Sequence, residues 1–558
     1  MNRFILAAVM ITCLAFLSAC DQGGGQHTGE KAEPETSSAS VAENIVDSKP
    51  VYGGRYTEPT LAEPMCLISA LSSDSASHEV ASKIFVSALK YNKDIELVPY
   101  AAESFEVLEG GKLLKFKLRE DIRWTDGEPL TAEDVEFTYN MMIDPKTPTA
   151  YAGDFKNIKE FKRTGKYTFE VRYDKIFARS LITWASDILP KHILEGEDLN
   201  TTKYRRNPVG AGPYKLKEWI PGRRLILEAN EDYFEGRPYI DELVYRVIPD
   251  ISTQFLELKS GSLDSMGLTP QQYLFQTKGG NWDRNFQKFK YLSFSYSYLG
   301  FNMESPFFKD LRVRRAINYA IDKEEIVKGV LFGLGYPAMG PYKPGTWVYN
   351  DKLKPYGYHP EKAKALLKEA GWVDTDGDGI LDRDGKPFSF SVIINQGNSL
   401  RIKSATIIQN RLRDVGIEVK IRTVEWAAFL KEFIDTGRFD ATILGWNILQ
   451  DPDIYSVWHS SKAVPGGLNF IKYKNDELDE LLDKGRSTLD QSERKVIYDR
   501  VQEIMHEEQP YCFLYVPMAL PIYSSRIQGL KVEPAGLGYN ADWWWIPTQL
   551  QKKPSLQQ

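Results

Sequence analysis

From residue 51 onward the chain runs for about 500 residues, roughly twice the ~250–300 residues at which a single hydrophobic core stops growing. It must therefore divide into more than one lobe. The material for large cores is present, since 42% of the sequence is hydrophobic and 12% aromatic. No stretch of this body is apolar enough to span a bilayer. The formal net charge of −6 carries no basic footprint of the kind that binds nucleic acid.

Strand and helix signals alternate along the body. Leu114, Phe116 and Leu118 alternate with Lys115, Lys117 and Arg119, the period of a half-buried strand. Tyr167, Phe169, Val171 and Tyr173 repeat the pattern, as do Leu243, Tyr245 and Val247. Between them lie helices with legible starts. Thr131, with Asp134 three residues on, opens a helix over Ala132–Met142 in the manner of a capping box. Pro360 suits a first helical position, and Ala363, Leu366, Leu367 and Ala370 form one apolar face before Gly371 ends the helix. Asp310 caps a helix running through Val313, Ile317 and Ile321. A strand is expected over Phe388–Ile394. The mixture predicts α/β architecture, and there is no internal repeat.

The N-terminus is a separate problem. Arg3 followed by the apolar run Phe4–Leu17 has the form of an export signal and is short for a membrane span. It ends in Leu17-Ser18-Ala19-Cys20, which resembles the lipobox of bacterial lipoproteins, so residues 1–20 read as a lipoprotein signal peptide with Cys20 as the lipidated residue. Asp21 resembles the signal that keeps a Gram-negative lipoprotein in the inner membrane. The protein is thus expected at the membrane, facing the periplasm or the cell exterior. Residues 21–50 are rich in Gly, Ser, Glu and Ala, too poor in apolar surface to offset their ordering entropy. They form a flexible tether with a reach of roughly 30 Å.

With Cys13 in the signal and Cys20 lipidated, Cys66 and Cys512 are the cysteines of the mature body. In an oxidising compartment they either pair or remain two buried thiols.

Several motifs then occur in order. They are Leu118-Arg119…Trp124-Thr125-Asp126-Gly127 with Leu130-Thr131-Ala132-Glu133-Asp134-Val135, and Asn207-Pro208-Val209-Gly210-Ala211-Gly212-Pro213-Tyr214. Next come Leu299-Gly300-Phe301-Asn302 with Arg312-Val313-Arg314-Arg315-Ala316-Ile317, then His359-Pro360-Glu361-Lys362-Ala363. The last is Phe439-Asp440…Gly445-Trp446…Asp451-Pro452-Asp453. Together they resemble the family 5 solute-binding proteins, which include dipeptide- and oligopeptide-binding components of ABC importers. The resemblance implies a two-lobed, periplasmic-binding-protein-like fold of type II with an extra subdomain on the first lobe. By that analogy lobe I comprises 51–85, 205–295 and 506–558, the extra subdomain 86–204 and lobe II 296–505. The layout returns the C-terminus to the first lobe, which makes a Cys66–Cys512 bridge geometrically open. It also implies a monomer that encloses a peptide or another small molecule between its lobes by hinge closure. Its partners would be an ABC permease pair with associated ATPases.

By the same resemblance Trp446 and Trp426 match aromatic positions lining the ligand pocket of oligopeptide binders, and Arg401 falls where a ligand-side basic residue sits. Asn447 follows Trp446 directly. The aspartate that holds a peptide's ammonium in such binders is replaced: an ungapped match puts Leu449 there, and Ile443 replaces an arginine before Gly-Trp. Asp451 or Asp453 would then substitute as the anchor, or the ligand carries no ammonium at that point. An aromatic cleft without charge anchors also suits an oligosaccharide, a metal chelate or haem.

Asp374, Asp376, Asp378, Ile380 and Asp382 resemble the first nine positions of a calcium loop, but Gly385 stands where a bidentate glutamate closes such loops. The stretch is either a weak structural calcium site or an acidic hairpin, and no other cofactor is expected. A hydrolase is the rival class. His78 and His506 precede glutamates without a second histidine four residues on, and there is no Gly-x-Ser-x-Gly elbow. The expectation is a binding protein, not an enzyme.

Overall fold

A computed structural model describes residues 49–448 and 451–552. The signal peptide, Cys20 and all but the last residues of the tether lie outside the described residues. Within them, mixed sheets and helices build the two-lobed, type II α/β fold with an added subdomain.

The first lobe is organised by a four-stranded sheet in the order Arg55–Thr60, Glu242–Val247, Arg224–Ala229, Tyr214–Ile220, of which the first pair is parallel. Glu242–Val247 buries Val244 as well as Leu243 and Tyr245, not the alternation its sequence suggests. Side chains on both faces of this strand are therefore packed under other parts of the protein. Beside this sheet stands a second, antiparallel one: Ala102–Leu108, Leu113–Leu118, Thr168–Tyr173 and Ile158–Arg163. Here the alternation holds, with Leu114, Phe116, Leu118, Phe169, Val171 and Tyr173 all buried. The helix Ala132–Ile143 starts in a complete capping box between Thr131 and Asp134, a device worth about 1 kcal/mol.

Gly210 and Gly212 lie against the backbone of Ile84. A Cβ at Gly210 would sit 1.9 Å from the Ile84 carbonyl oxygen, which accepts the Gly212 N–H at 2.8 Å. The Asn207–Tyr214 motif is thus a close-approach loop that only glycine allows.

The second lobe carries the largest sheet, ordered Tyr291–Leu292, Tyr511–Ala519, Ser295–Phe301, Ala441–Asn447, Ser389–Asn395, Glu418–Val424. The helices Leu311–Ala320, Pro360–Glu369 and Ser399–Arg413 cover one face, burying Val313, Ile317, Ala363, Leu367, Ala405 and Ile408. Each such side chain contributes about 1.5–3 kcal/mol where it is large and fully buried. The Asp310 cap forms, but its helix ends at Ala320 and a second begins at Lys323, because Asp322 caps a new turn.

Two neighbouring strand connections cross between the lobes. Phe286–Lys288 leads to Tyr291–Leu292, and Tyr511–Ala519 leads to Pro521–Ser524. They pair antiparallel as they pass, Phe286 opposite Ser524 and Tyr291 opposite Ala519. Tyr511–Ala519, expected with lobe I, therefore sits inside the second-lobe sheet, where Cys512 pairs with Leu299. That placement separates the two cysteines. Cys66 is buried in the first-lobe core and Cys512 in the second-lobe core, and both are free thiols. The disulfide reading is corrected: its geometry depended on the C-terminal segment returning to the first lobe before Cys512, and it does so only after Ala519.

Candidate functional site

A cavity of about 1050 Å³ opens between the first lobe and its subdomain on one side and the second lobe on the other. That is at the large end for a small-molecule site. Its second-lobe wall is aromatic. Ser295–Phe301 and Ala441–Asn447 run antiparallel with Tyr296 opposite Trp446. Tyr298 stacks on Tyr511 with centroids 3.9 Å apart and planes at 8°, and the Trp446 indole N–H donates to the Tyr511 hydroxyl at 3.3 Å. Trp426 follows Glu425, whose carboxylate caps the next turn, and stacks on Phe429 at 5.8 Å. Trp446 and Trp426 remain half-buried and face the cavity, and Asn447 is exposed beside them.

The strand beneath these rings has a free edge. Ser389–Asn395 pairs with Ala441–Asn447 only through Val392–Ala441 and Ile393–Thr442, so no strand of the described residues covers that side beyond Thr442. Ile448 gives its N–H to Phe294. By the alternation of an extended chain, Gly445 and Asn447 turn their backbone groups to the open side. A Cβ on Gly445 would lie 2.8 Å from the Tyr296 carbonyl oxygen and 3.6 Å from Nη2 of Arg401, so the guanidinium stands close against this strand.

Arg401 sits in the first turn of Ser399–Arg413, where Asn398 caps the helix by accepting the Arg401 N–H. Its Nη1 donates to Oδ1 of Asn395 at 2.6 Å. No carboxylate lies within ion-pair distance of it among the described residues, and burial lowers its pKa. A guanidinium held this way without a counter-charge is costly and is suited to receive an anion.

Asp451 and Asp453 line the same cavity, but their oxygens are occupied. Arg494 holds Asp451 through two bonds of 2.9 Å. Arg486 donates to Oδ2 of Asp453 at 2.9 and 2.7 Å, Arg179 approaches it at 3.0 Å, and Oδ1 takes the Tyr455 N–H. Burial alone would raise the Asp453 carboxyl, yet Arg486 and Arg179 hold it below its usual range. Neither aspartate is free to anchor an ammonium, which corrects the expectation from the sequence. Glu79 and Asp187, which form no ion pair among the described residues, line the cavity from the side of the first lobe and its subdomain. Burial raises Asp187, which accepts from the Ser69 hydroxyl, while Glu79 is exposed. Nothing in the sequence pattern set them apart from other surface acids.

Away from the cleft, the carboxylates of Asp374, Asp376 and Asp382 converge to within 4.8 Å of one another. Asp378 is not in that group and accepts the Ile380 N–H at 2.7 Å. Asp374 takes the N–H groups of Gly377 and Gly379. The loop is thus an acidic turn organised by its own backbone, with three of the five expected ligands brought together.

Residues 96–466 match the family described as bacterial extracellular solute-binding proteins, family 5 Middle. The oligopeptide-binding protein AppA of Bacillus subtilis is 35% identical over 98% of this chain and 99% of its own length. Its structure, in complex with a nonapeptide, aligns with a TM-score of 0.86 over 89% of this chain and all of that one. DppA from Helicobacter pylori, in complex with the peptide STSA, aligns at 27% identity and a TM-score of 0.80, covering 89% and 99% of the two chains. NikZ from Campylobacter jejuni, in complex with Ni(L-His), aligns at 29% identity and 0.79, over the same shares.

Proposed function

The chain belongs to the family 5 bacterial extracellular solute-binding proteins, and we propose that it captures short peptides in the interlobe cleft as the binding component of an ABC importer. The observation that carries the reading is the open edge of Ala441–Asn447 at Gly445 and Asn447, flanked by Arg401 and by Trp446 and Trp426. An extended peptide offers a row of N–H and C=O groups that such an edge can pair. Its side chains lie against aromatic surface that is tolerant of sequence. Arg401 receives a carboxylate or backbone carbonyl, and Asp187 and Glu79 present the opposite polarity across the cavity.

Closure of the lobes completes the contacts, because the ligand touches both walls only when they meet. A permease pair with its ATPases then takes the loaded protein. Cys20 carries the lipid anchor, and the segment to residue 50 tethers the body to the membrane; no helix among the described residues is long and apolar enough to cross one. The role is capture without turnover.

Calorimetry with a short peptide, a maltooligosaccharide and nickel–histidine tests the reading. Heat from the peptide alone supports it. Saturable binding of the sugar or the chelate, with none of the peptide, replaces it with one of the other ligand classes.

A further inference from the structure

The aspartates lost as ligand anchors belong to a larger assembly. Asp154 and Arg179 pack on the first-lobe side, among Phe155 and Phe177 of that core. Asp451, Asp453, Arg486 and Arg494 belong to the second lobe, beside Leu482 and Tyr498. Between the two sides, Arg486 Nη2 donates to Asp154 Oδ1 at 2.7 Å and Arg179 Nε reaches Asp453 Oδ2 at 3.0 Å. The Arg179 Nη1 lies 3.8 Å from Asp451, and the Ala178 N–H donates to the Arg486 carbonyl oxygen at 2.6 Å. Side chains here are 2–15% exposed.

We infer that these six residues form a closure latch: an ionic contact across the mouth of the cleft that holds the lobes together and populates the closed state before ligand arrives. Three acids meet three guanidinium groups, so the closed cluster is neutral. The partition on opening matters more. Arg179 keeps Asp154 at 2.9 Å on the first lobe, while Asp453 keeps Arg486 and Asp451 keeps Arg494 on the second. Separation strands no charge, which removes the large penalty of exposing half of a buried pair and leaves the latch reversible. Only the bonds across the boundary are exchanged for water. Asp451 and Asp453 are therefore positioning residues of the closure, acting on ligand affinity through the closed population.

The test needs no ligand and so stands apart from the peptide assignment. One fluorophore on each lobe of the full-length protein reports the closed-to-open ratio by single-molecule energy transfer. Asp154→Asn combined with Arg179→Gln removes the first-lobe half of the cluster, so the bonds across the boundary are lost while Asp453–Arg486 and Asp451–Arg494 stay paired and opening strands no charge. The expected result is a ratio at least tenfold lower in the variant. If it does not fold, Asp154→Leu with Arg179→Met, an apolar replacement of the same pair, takes its place. An unchanged ratio in a folded variant overturns the latch. Failure of peptides to bind, with the ratio lowered in the variant, overturns the peptide reading alone.

Discussion

Arg401 donates to the side-chain carbonyl of Asn395 at 2.6 Å, and this amide, not a carboxylate, aims the guanidinium at the open edge of Gly445-Trp446-Asn447. The side chain is positioned by a neutral partner and keeps its charge for the ligand. Replacing Arg401 by Ala should weaken a peptide with a free carboxylate about 10–100-fold, the equivalent of roughly 1.5–3 kcal/mol for a charged hydrogen bond. The same peptide amidated at its C-terminus should lose much less. Calorimetry on the four combinations checks this, and equal losses would place the carboxylate elsewhere.

Trp446 contributes both wall and support, since its ring faces the cavity while its N–H is held by Tyr511. Trp446→Ala should lower peptide affinity at least about tenfold and cost about 1–3 kcal/mol of stability, less than the ~3–5 kcal/mol of a fully buried aromatic. Trp446→Phe should recover most of the affinity. Denaturant melts beside the titrations separate the two effects.

Gly210→Ala should be among the most damaging single changes, because its Cβ would meet the Ile84 carbonyl oxygen at 1.9 Å. A loss beyond about 4 kcal/mol, or failure to accumulate folded protein, is expected. A melting temperature within a degree or two of native would show that the loop can move aside.

Burial, with Lys323 and Arg315 nearby, lowers the pKa of His506 to about 4. The unfolded chain takes up this proton near pH 6.5 and the folded chain does not. Stability is therefore fully present above pH 6.5 and declines as pH falls toward 4. With allowance for solvent screening of a half-buried ring, the loss is about 1–2 kcal/mol. His506→Gln should flatten this part of the pH–stability curve, measured by urea titration at pH 7.0 and 4.5.

Cys66 and Cys512 sit in different cores, and burial raises the pKa of both thiols. Native protein should resist alkylation because the thiolate is the reactive form. After unfolding without reductant, both should take up iodoacetamide. A mass showing two fewer hydrogens and no adduct would demonstrate a disulfide and contradict the placement.

Much of the fold was legible because its signals are local. The capping box at Thr131–Asp134, the alternation over 113–118 and 168–173, and the stop at Gly371 depend on neighbours within a few residues. Glu242–Val247 misled because its burial is set by partners far along the chain. The site divided in the same way. Trp446, Trp426 and Arg401 could be placed by motif, and all three face the cavity. Asp451 and Asp453 were misjudged because their counter-charges, Arg179, Arg486 and Arg494, lie 33 to 274 residues away. No spacing rule pairs such groups. Asp187 and Glu79 went unmarked for the same reason.

The most direct test of the central claim is to purify the protein gently and weigh it intact, with whatever it carries, by native mass spectrometry. A set of complexes whose added masses correspond to short peptides, released on unfolding, is the predicted result. A single added mass matching a sugar, a metal chelate or haem would contradict it.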